Sequence, residues 1–143
     1  MRRIPYCRQW LDKKDIQAVV KVLESDWITQ GPKIEEFESS LCAYTGAKYA
    51  VAVSSGTAAL HIACLVVKLK AGDEVITSPI TFVASANCAL YVGAKVVFAD
   101  IDKETLNIDP VQIQEKLTSM TRAIIPVHYS GYSCDMRQIH KTA

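Results

Sequence analysis

At 143 residues, half of them apolar, the chain is long enough for one domain of common size and apolar enough to bury a core, which excludes disorder and low complexity. Sixteen Lys plus Arg against fifteen Asp plus Glu leave a formal charge of +1, so no broad field draws the chain to nucleic acid or to an anionic membrane, and a small metabolite is the default partner. The five cysteines, Cys7, Cys42, Cys64, Cys88 and Cys134, are odd in number, widely spaced and free of any CxxC pair, which fits buried thiols in a reducing cytosol better than a disulfide scaffold or a zinc site.

Met1-Arg2-Arg3 leads through Ile4-Pro5-Tyr6 into polar residues without an apolar h-region, so no secretory leader is expected and the expected location is cytoplasmic. A first helix is announced by Asp12 as N-cap with Asp15 three residues on, followed by Ile16, Val19, Val20 and Leu23 on one face; Ser25-Asp26 ends it. A second follows Gly31-Pro32, where proline suits the first helical position, with Ile34, Phe37, Leu41 and Tyr44 at helical spacing and Gly46 as the cap.

From Tyr49 onward short β-branched runs alternate with helical segments. Tyr49 to Val53, Glu74 to Thr77, Lys95 to Ala99 and Ala123 to Val127 read as buried strands. Between them the spacing predicts helices near Ala58 to Leu69, Phe82 to Val92 and Pro110 to Leu117, the last capped by Asp109. The apolar run Leu60 to Leu69 is interrupted by His61 and Lys68, which makes it a core helix rather than a membrane span. Such alternation predicts an α/β fold with a mostly parallel sheet and helices on its faces. Asp135 to Ala143 reads as the opening of a further helix with no closing glycine or following strand, so the expectation is a fragment of a larger α/β layer.

Two segments carry candidate chemistry. Ser54-Ser55-Gly56-Thr57-Ala58-Ala59 follows a predicted strand and opens a helix, where partnerless N–H groups suit a phosphate, glycine permits close approach and hydroxyls add donors. An ordinary serine-capped helix start explains the same residues and stays open at this stage. Neither GxGxxG nor GxxxxGK[ST] occurs. The run Thr77 to Asn87 sits at the carboxyl end of the Glu74–Thr77 strand, the side on which parallel sheets bind ligands, and Phe82 can lay its ring on a flat cofactor or simply fill the core. Asp100 and Asp102 are read as turn-formers rather than metal ligands, His61 as a packed residue, and His128 as a weak site candidate at another strand end.

Together, VAVSSGTAALHIA, GDEVITSPITFVASANCALYVGAKVVFADID and SDWITQGPKIEEFE resemble the DegT/DnrJ/EryC1/StrS family of nucleotide-sugar aminotransferases, and within it the PseC-type UDP-sugar transaminases of pseudaminic acid biosynthesis. The resemblance implies the large domain of a fold type I, aspartate aminotransferase-like enzyme that uses pyridoxal 5'-phosphate. It implies that Ser55, Gly56 and Thr57 hold the cofactor phosphate and that Phe82 stacks on its ring. It places Tyr6, Asp26, Trp27, Ile28 and Thr29 on the substrate side, with residues 1–46 as a helical segment there and 47–143 as the first part of the cofactor-binding domain.

The partners implied are a UDP-linked keto sugar and an amino-acid donor, glutamate in the first instance, with a homodimer as the working unit and neither nucleic acid nor membrane involved. No lysine here occupies the family's Schiff-base position, which lies downstream of the matched residues, so the expectation is that these 143 residues alone are inactive. Three other readings stay open: a pyridoxamine-phosphate-dependent sugar dehydratase of the same fold, with histidine in place of that lysine; a non-catalytic truncated binding module; and, weakest because neither nucleotide loop is present, a generic nucleotide-binding α/β protein.

Overall fold

The structure is a computed structural model that describes residues 8–143, so Tyr6 and Cys7 lie outside the described residues. The chain divides into two compact units, the first ending at Ala52 and the second running from Val53 to Ala143.

In the first unit, α1 (Lys13–Leu23) starts as its sequence predicts. Asp12 is extended, its Oδ1 accepts from the N–H groups of Lys14 at 2.6 Å and Asp15 at 3.1 Å, and Asp15 Oδ2 accepts from the Asp12 N–H at 2.8 Å. This reciprocal capping satisfies donors that helix geometry leaves without partners. The second helix, α2 (Pro32–Thr45), has Gly31 at the N-cap and proline at its first position, and Gly46 closes it in the left-handed conformation at φ 75°.

The Tyr49–Val53 segment, predicted to be a strand, pairs with no strand among the described residues. Its apolar alternation suits a sheet, but a strand exists through its neighbour's hydrogen bonds. Here the Ala52 N–H donates to the Glu38 carboxylate at 2.8 Å, while Tyr49 and Val51 stay exposed.

The second unit runs α3 (Gly56–Val66), β1 (Glu74–Thr77), α4 (Ala84–Tyr91), β2 (Lys95–Phe98), α5 (Pro110–Lys116), β3 (Thr121–Ile125), a 3-10 turn (Tyr129–Gly131) and α6 (Met136–Thr142). All strand pairings are parallel, in the order β2-β1-β3, so β1 is central. Two boundaries move for physical reasons. The third strand lies two residues earlier than Ala123–Val127, because Pro126 has no N–H to donate to the ladder. The helix expected from Phe82 begins only at Ala84, which leaves Phe82 on the turn before it.

The central strand divides the core. Successive strand residues face opposite sides of a sheet. Val75 lies with Cys64, Leu69, Cys88, Ala89 and Ala94 beneath α3 and α4, whereas Ile76 lies with Ala99, Ile108, Ile113, Cys134 and Ile139 beneath α5 and α6. Helices therefore cover both faces of the parallel sheet, the arrangement expected from the alternating sequence.

Asp100 and Asp102 behave as turn-formers. Asp100 Oδ1 accepts from the Ile101 N–H at 2.8 Å. Asp102 Oδ1 accepts from the Thr105 N–H at 2.8 Å, the Thr105 hydroxyl at 2.9 Å and the Glu104 N–H at 3.1 Å, and these donors, the Thr105 N–H foremost, hold its carboxyl below the usual value. A carboxyl whose folded pKa lies below its unfolded one stabilises fully above the unfolded value of about 4, and loses that contribution as pH falls through the folded value. Asp102→Asn is therefore expected to be less stable than the parent at neutral pH, with a gap that closes below about pH 4. Denaturant unfolding from pH 7 to pH 2 checks this, and a gap that stays constant over that range contradicts it.

Candidate functional site

Three turns of the second unit hold Ser55 to Thr57, Phe82 and His128. The first opens α3. Ser55 is its N-cap, with extended backbone, and its Oγ accepts from the Ala58 N–H at 3.1 Å. The Ser55 carbonyl takes the Ala59 N–H, so the Gly56 and Thr57 N–H groups are left without a partner among the described residues. Helix N-termini concentrate partial positive charge where such donors point, and an anion is their natural complement.

Gly56 adds a second observation. Its φ is not in the left-handed region, and a Cβ built on it meets no atom within 4 Å. Neither backbone conformation nor packing among the described residues requires glycine there, while a larger residue would favour the helix. The space a side chain would occupy is open to a ligand. Donors and room together fit a phosphate, which is the part of pyridoxal phosphate expected at this turn.

The second turn follows β1. Thr77 is fully buried and its hydroxyl donates to the Ile125 carbonyl at 2.9 Å, fastening the carboxyl ends of β1 and β3 to each other. Ser78 is buried and accepts from the Ile80 N–H at 3.1 Å, and the Thr81 and Ser85 hydroxyls bond at 2.8 Å. This bonded turn carries Phe82, whose ring belongs to neither core cluster and which is 74% exposed. The core-filling reading of Phe82 therefore does not hold within these residues. No hydrogen bond joins this turn to Ser55, Gly56 or Thr57 among the described residues.

The third turn follows β3. His128 Nδ1 accepts from the Cys134 N–H at 3.0 Å, which leaves only Nε2 of that ring for any other partner. Asn107, buried, clamps the same loop from below: its Nδ2 donates to the Tyr132 carbonyl at 3.0 Å and its Oδ1 accepts from the Tyr129 N–H at 2.9 Å. The sequence reading passed over Asn107; a lone asparagine beside apolar Leu106 and Ile108 carries no signal until its partners, more than 20 residues away, are known. His61 packs edge-on against Tyr91 with ring centroids 5.3 Å apart, the structural role expected of it.

Cys64, Cys88 and Cys134 are buried. Burial first, and then the neighbouring Cys88 thiol, push Cys64 up to about 11, and burial raises Cys134 as well.

In the first unit, Asp26, Trp27, Ile28 and Thr29 lie on the connection between α1 and α2, with Trp27 and Ile28 exposed. A recess of about 320 Å³ beside them is lined by Trp27, Gln30, Gly31, Pro32, Ile34 and Glu35. Tyr6, expected on the same side, lies outside the described residues.

A sequence profile of the DegT/DnrJ/EryC1/StrS aminotransferase family matches residues 9–143. The chain is 50% identical over 136 residues to the spore coat polysaccharide biosynthesis protein SpsC of Bacillus subtilis, an alignment that covers 95% of this chain and 35% of SpsC. Spr1654 of Streptococcus pneumoniae, assigned as a sugar aminotransferase and solved in its PMP form, superimposes with a TM-score of 0.91 at 36% identity over 98% of this chain and 35% of that one. Helicobacter pylori PseC, an aminotransferase of pseudaminic acid biosynthesis, does so with a TM-score of 0.86 at 36% identity, over 98% of this chain and 38% of its own. The chain thus spans about a third of the length of the relatives it matches.

Proposed function

The chain belongs to the DegT/DnrJ/EryC1/StrS aminotransferase family, and from that premise we propose that the complete protein carrying it moves an amino group from an amino acid, glutamate in our reading, to the C4 keto carbon of a UDP-linked sugar. The cofactor of this family is pyridoxal 5'-phosphate. When bound, its ring accepts the electron pair released at the carbon that carries the transferred nitrogen.

The residues described here bind and orient. The Gly56 and Thr57 N–H groups, at the positive end of α3, would hold the phosphate, with the Thr57 hydroxyl as a further donor. Ser55 spends its Oγ on the Ala58 N–H and would keep those donors aimed. Phe82 would lay its exposed ring against the pyridine face. Asp26, Trp27, Ile28 and Thr29, with Tyr6, would meet the nucleotide-sugar. We assign no covalent role to any lysine of this chain; the lysine that holds the cofactor, and the acid at its ring nitrogen, are expected from other residues of the complete protein. The reading includes a homodimer working in the cytoplasm.

The observation that carries this reading is Gly56, a helix-opening glycine with no requirement for it among the described residues and with two free donors beside it. Phe82 supplies the test. Among the described residues Phe82 is 74% exposed and belongs to neither core cluster, so Phe82→Ala removes no core packing of this chain. It should weaken pyridoxal phosphate by about two- to tenfold, the size of a lost ring–ring contact. Phe82→Tyr should restore binding. Equal cofactor affinity in Phe82→Ala, measured by titration of the absorbance of the bound cofactor, removes the residue from the site.

A further inference from the structure

We infer that Gly31 is a positioning residue: it sets the seat of the Trp27 indole, and through it the grip on the pyrimidine ring of the nucleotide-sugar. This inference rests on the proposed placing of Trp27 on the substrate side.

Gly31 stands at the N-cap of α2 with φ −85° and ψ −179°, a conformation open to every residue. Its backbone angles therefore give no reason for glycine. Its surroundings do. A Cβ built there falls 2.8 Å from Trp27 Cβ, 3.3 Å from the Trp27 carbonyl oxygen and 3.7 Å from Trp27 Cγ. The first atom hit is the root of the side chain, so rotation about its outer bonds cannot relieve the contact and the whole indole has to move.

The connection has little freedom to absorb that movement. The Ser25 hydroxyl donates to the Val22 carbonyl at 2.7 Å and accepts from the Trp27 N–H at 3.3 Å, which ties Trp27 to the end of α1. Gln30 already occupies the left-handed region at φ 53°, and Pro32 fixes the first residue of α2. The Trp27 backbone is thus tied to the end of α1, while the residue is 62% exposed and lines a recess together with Gly31 and Pro32. A large exposed aromatic face is a stacking platform; a flat base can use it without any polar match. Of the parts of a UDP-linked sugar, only the pyrimidine is a flat ring of that kind, so that ring is assigned to Trp27.

The complete protein tests this with free UDP as probe. In protein labelled with 5-fluorotryptophan, Gly31→Ala is expected to shift the Trp27 resonance, assigned by its loss in Trp27→Phe, and to raise the Kd for UDP about tenfold. KM for the sugar nucleotide should rise in proportion, with kcat and pyridoxal phosphate affinity unchanged. A shifted resonance with unchanged UDP affinity overturns the inference. If Trp27→Ala also leaves UDP affinity unchanged, the placing of Trp27 on the substrate side fails with it; if Trp27→Ala weakens UDP and Gly31→Ala does not, only the inference about Gly31 fails.

Thermal unfolding gives a readout independent of ligand and of how well Gly31→Ala folds. Trp27→Gly removes the atom that the new Cβ would strike, so the loss in Tm caused by Gly31→Ala should largely disappear in that background. An equal loss in both backgrounds overturns the inference.

Discussion

Replacing Gly56 with valine in the complete protein is expected to abolish tight binding of pyridoxal phosphate and to leave the cofactor-free protein folded. The two halves of that statement rest on different observations. Folding is spared because, among the described residues, a Cβ built there has no atom within 4 Å and the residue opens a helix, where valine has a higher propensity than glycine. Binding is lost because, in the proposed site, the same open space is where the phosphate would approach the Gly56 and Thr57 N–H groups. Hydrogen bonds to a charged group are worth about 1.5–3 kcal/mol each, so blocking two of them costs at least about a hundredfold in affinity.

The neighbouring variants grade the effect. Gly56→Ala is expected to stabilise the cofactor-free protein by up to about 1 kcal/mol and to weaken the cofactor by less than valine does, an opposition of stability and binding expected where a glycine serves a ligand. Thr57→Ser retains every donor and should bind nearly as the parent. Pyridoxal without its phosphate should respond weakly to all three. Equilibrium titration with both compounds, alongside thermal unfolding of the cofactor-free forms, is the measurement. A folded Gly56→Val that binds the phosphorylated cofactor as the parent does returns Ser54 to Thr57 to the status of a plain helix start.

The second large effect is structural. Ile76→Ala is expected to destabilise the protein by about 2–5 kcal/mol, and Ile76→Val by about 0.5–1.5 kcal/mol. Ile76 is fully buried on the central strand, in one cluster with Ala99, Ile108, Ile113, Cys134 and Ile139 from the layer beyond it. A cavity there is walled by a hydrogen-bonded ladder on both sides of β1, so the surroundings can collapse into it only in part. The loss also loosens the seat of α5, α6 and the loop that carries His128. Denaturant unfolding measures it. A cost below about 1 kcal/mol for Ile76→Ala contradicts the seating of that layer on β1.

Local chemistry was legible in the residues themselves. Asp12 with Asp15, Gly31-Pro32, Gly46, and Asp109 before Pro110 mark helix ends through bonds made within three or four residues, and each falls where it was expected. The Glu74–Thr77 strand has the predicted bounds because the three consecutive β-branched residues Val75, Ile76 and Thr77 favour extended backbone. The turns at Asp100 and Asp102 were legible for the same reason, as aspartate bonds its own neighbours.

What tertiary structure decided depends on atoms far apart in the chain. Tyr49–Val53 has a strand's pattern and no strand's partner, since pairing is a property of two segments. The strand at Thr121–Ile125 takes its register from Glu74 to Thr77, and Pro126 then ends it. Phe82 had two readings, core residue or cofactor contact, and its exposure removes the core reading within these residues. Asn107 acquires a role only from Tyr129 and Tyr132, and Gly31 only from the position of Trp27. By itself the sequence determined the capped helix ends and the α/β class, because these follow from backbone donors and acceptors satisfied locally and from the alternation of short strands with helices. Which face each strand buries, which side chains stay open to a ligand and why a given glycine cannot be larger were decided by packing, which the spacing of residues along the chain does not encode.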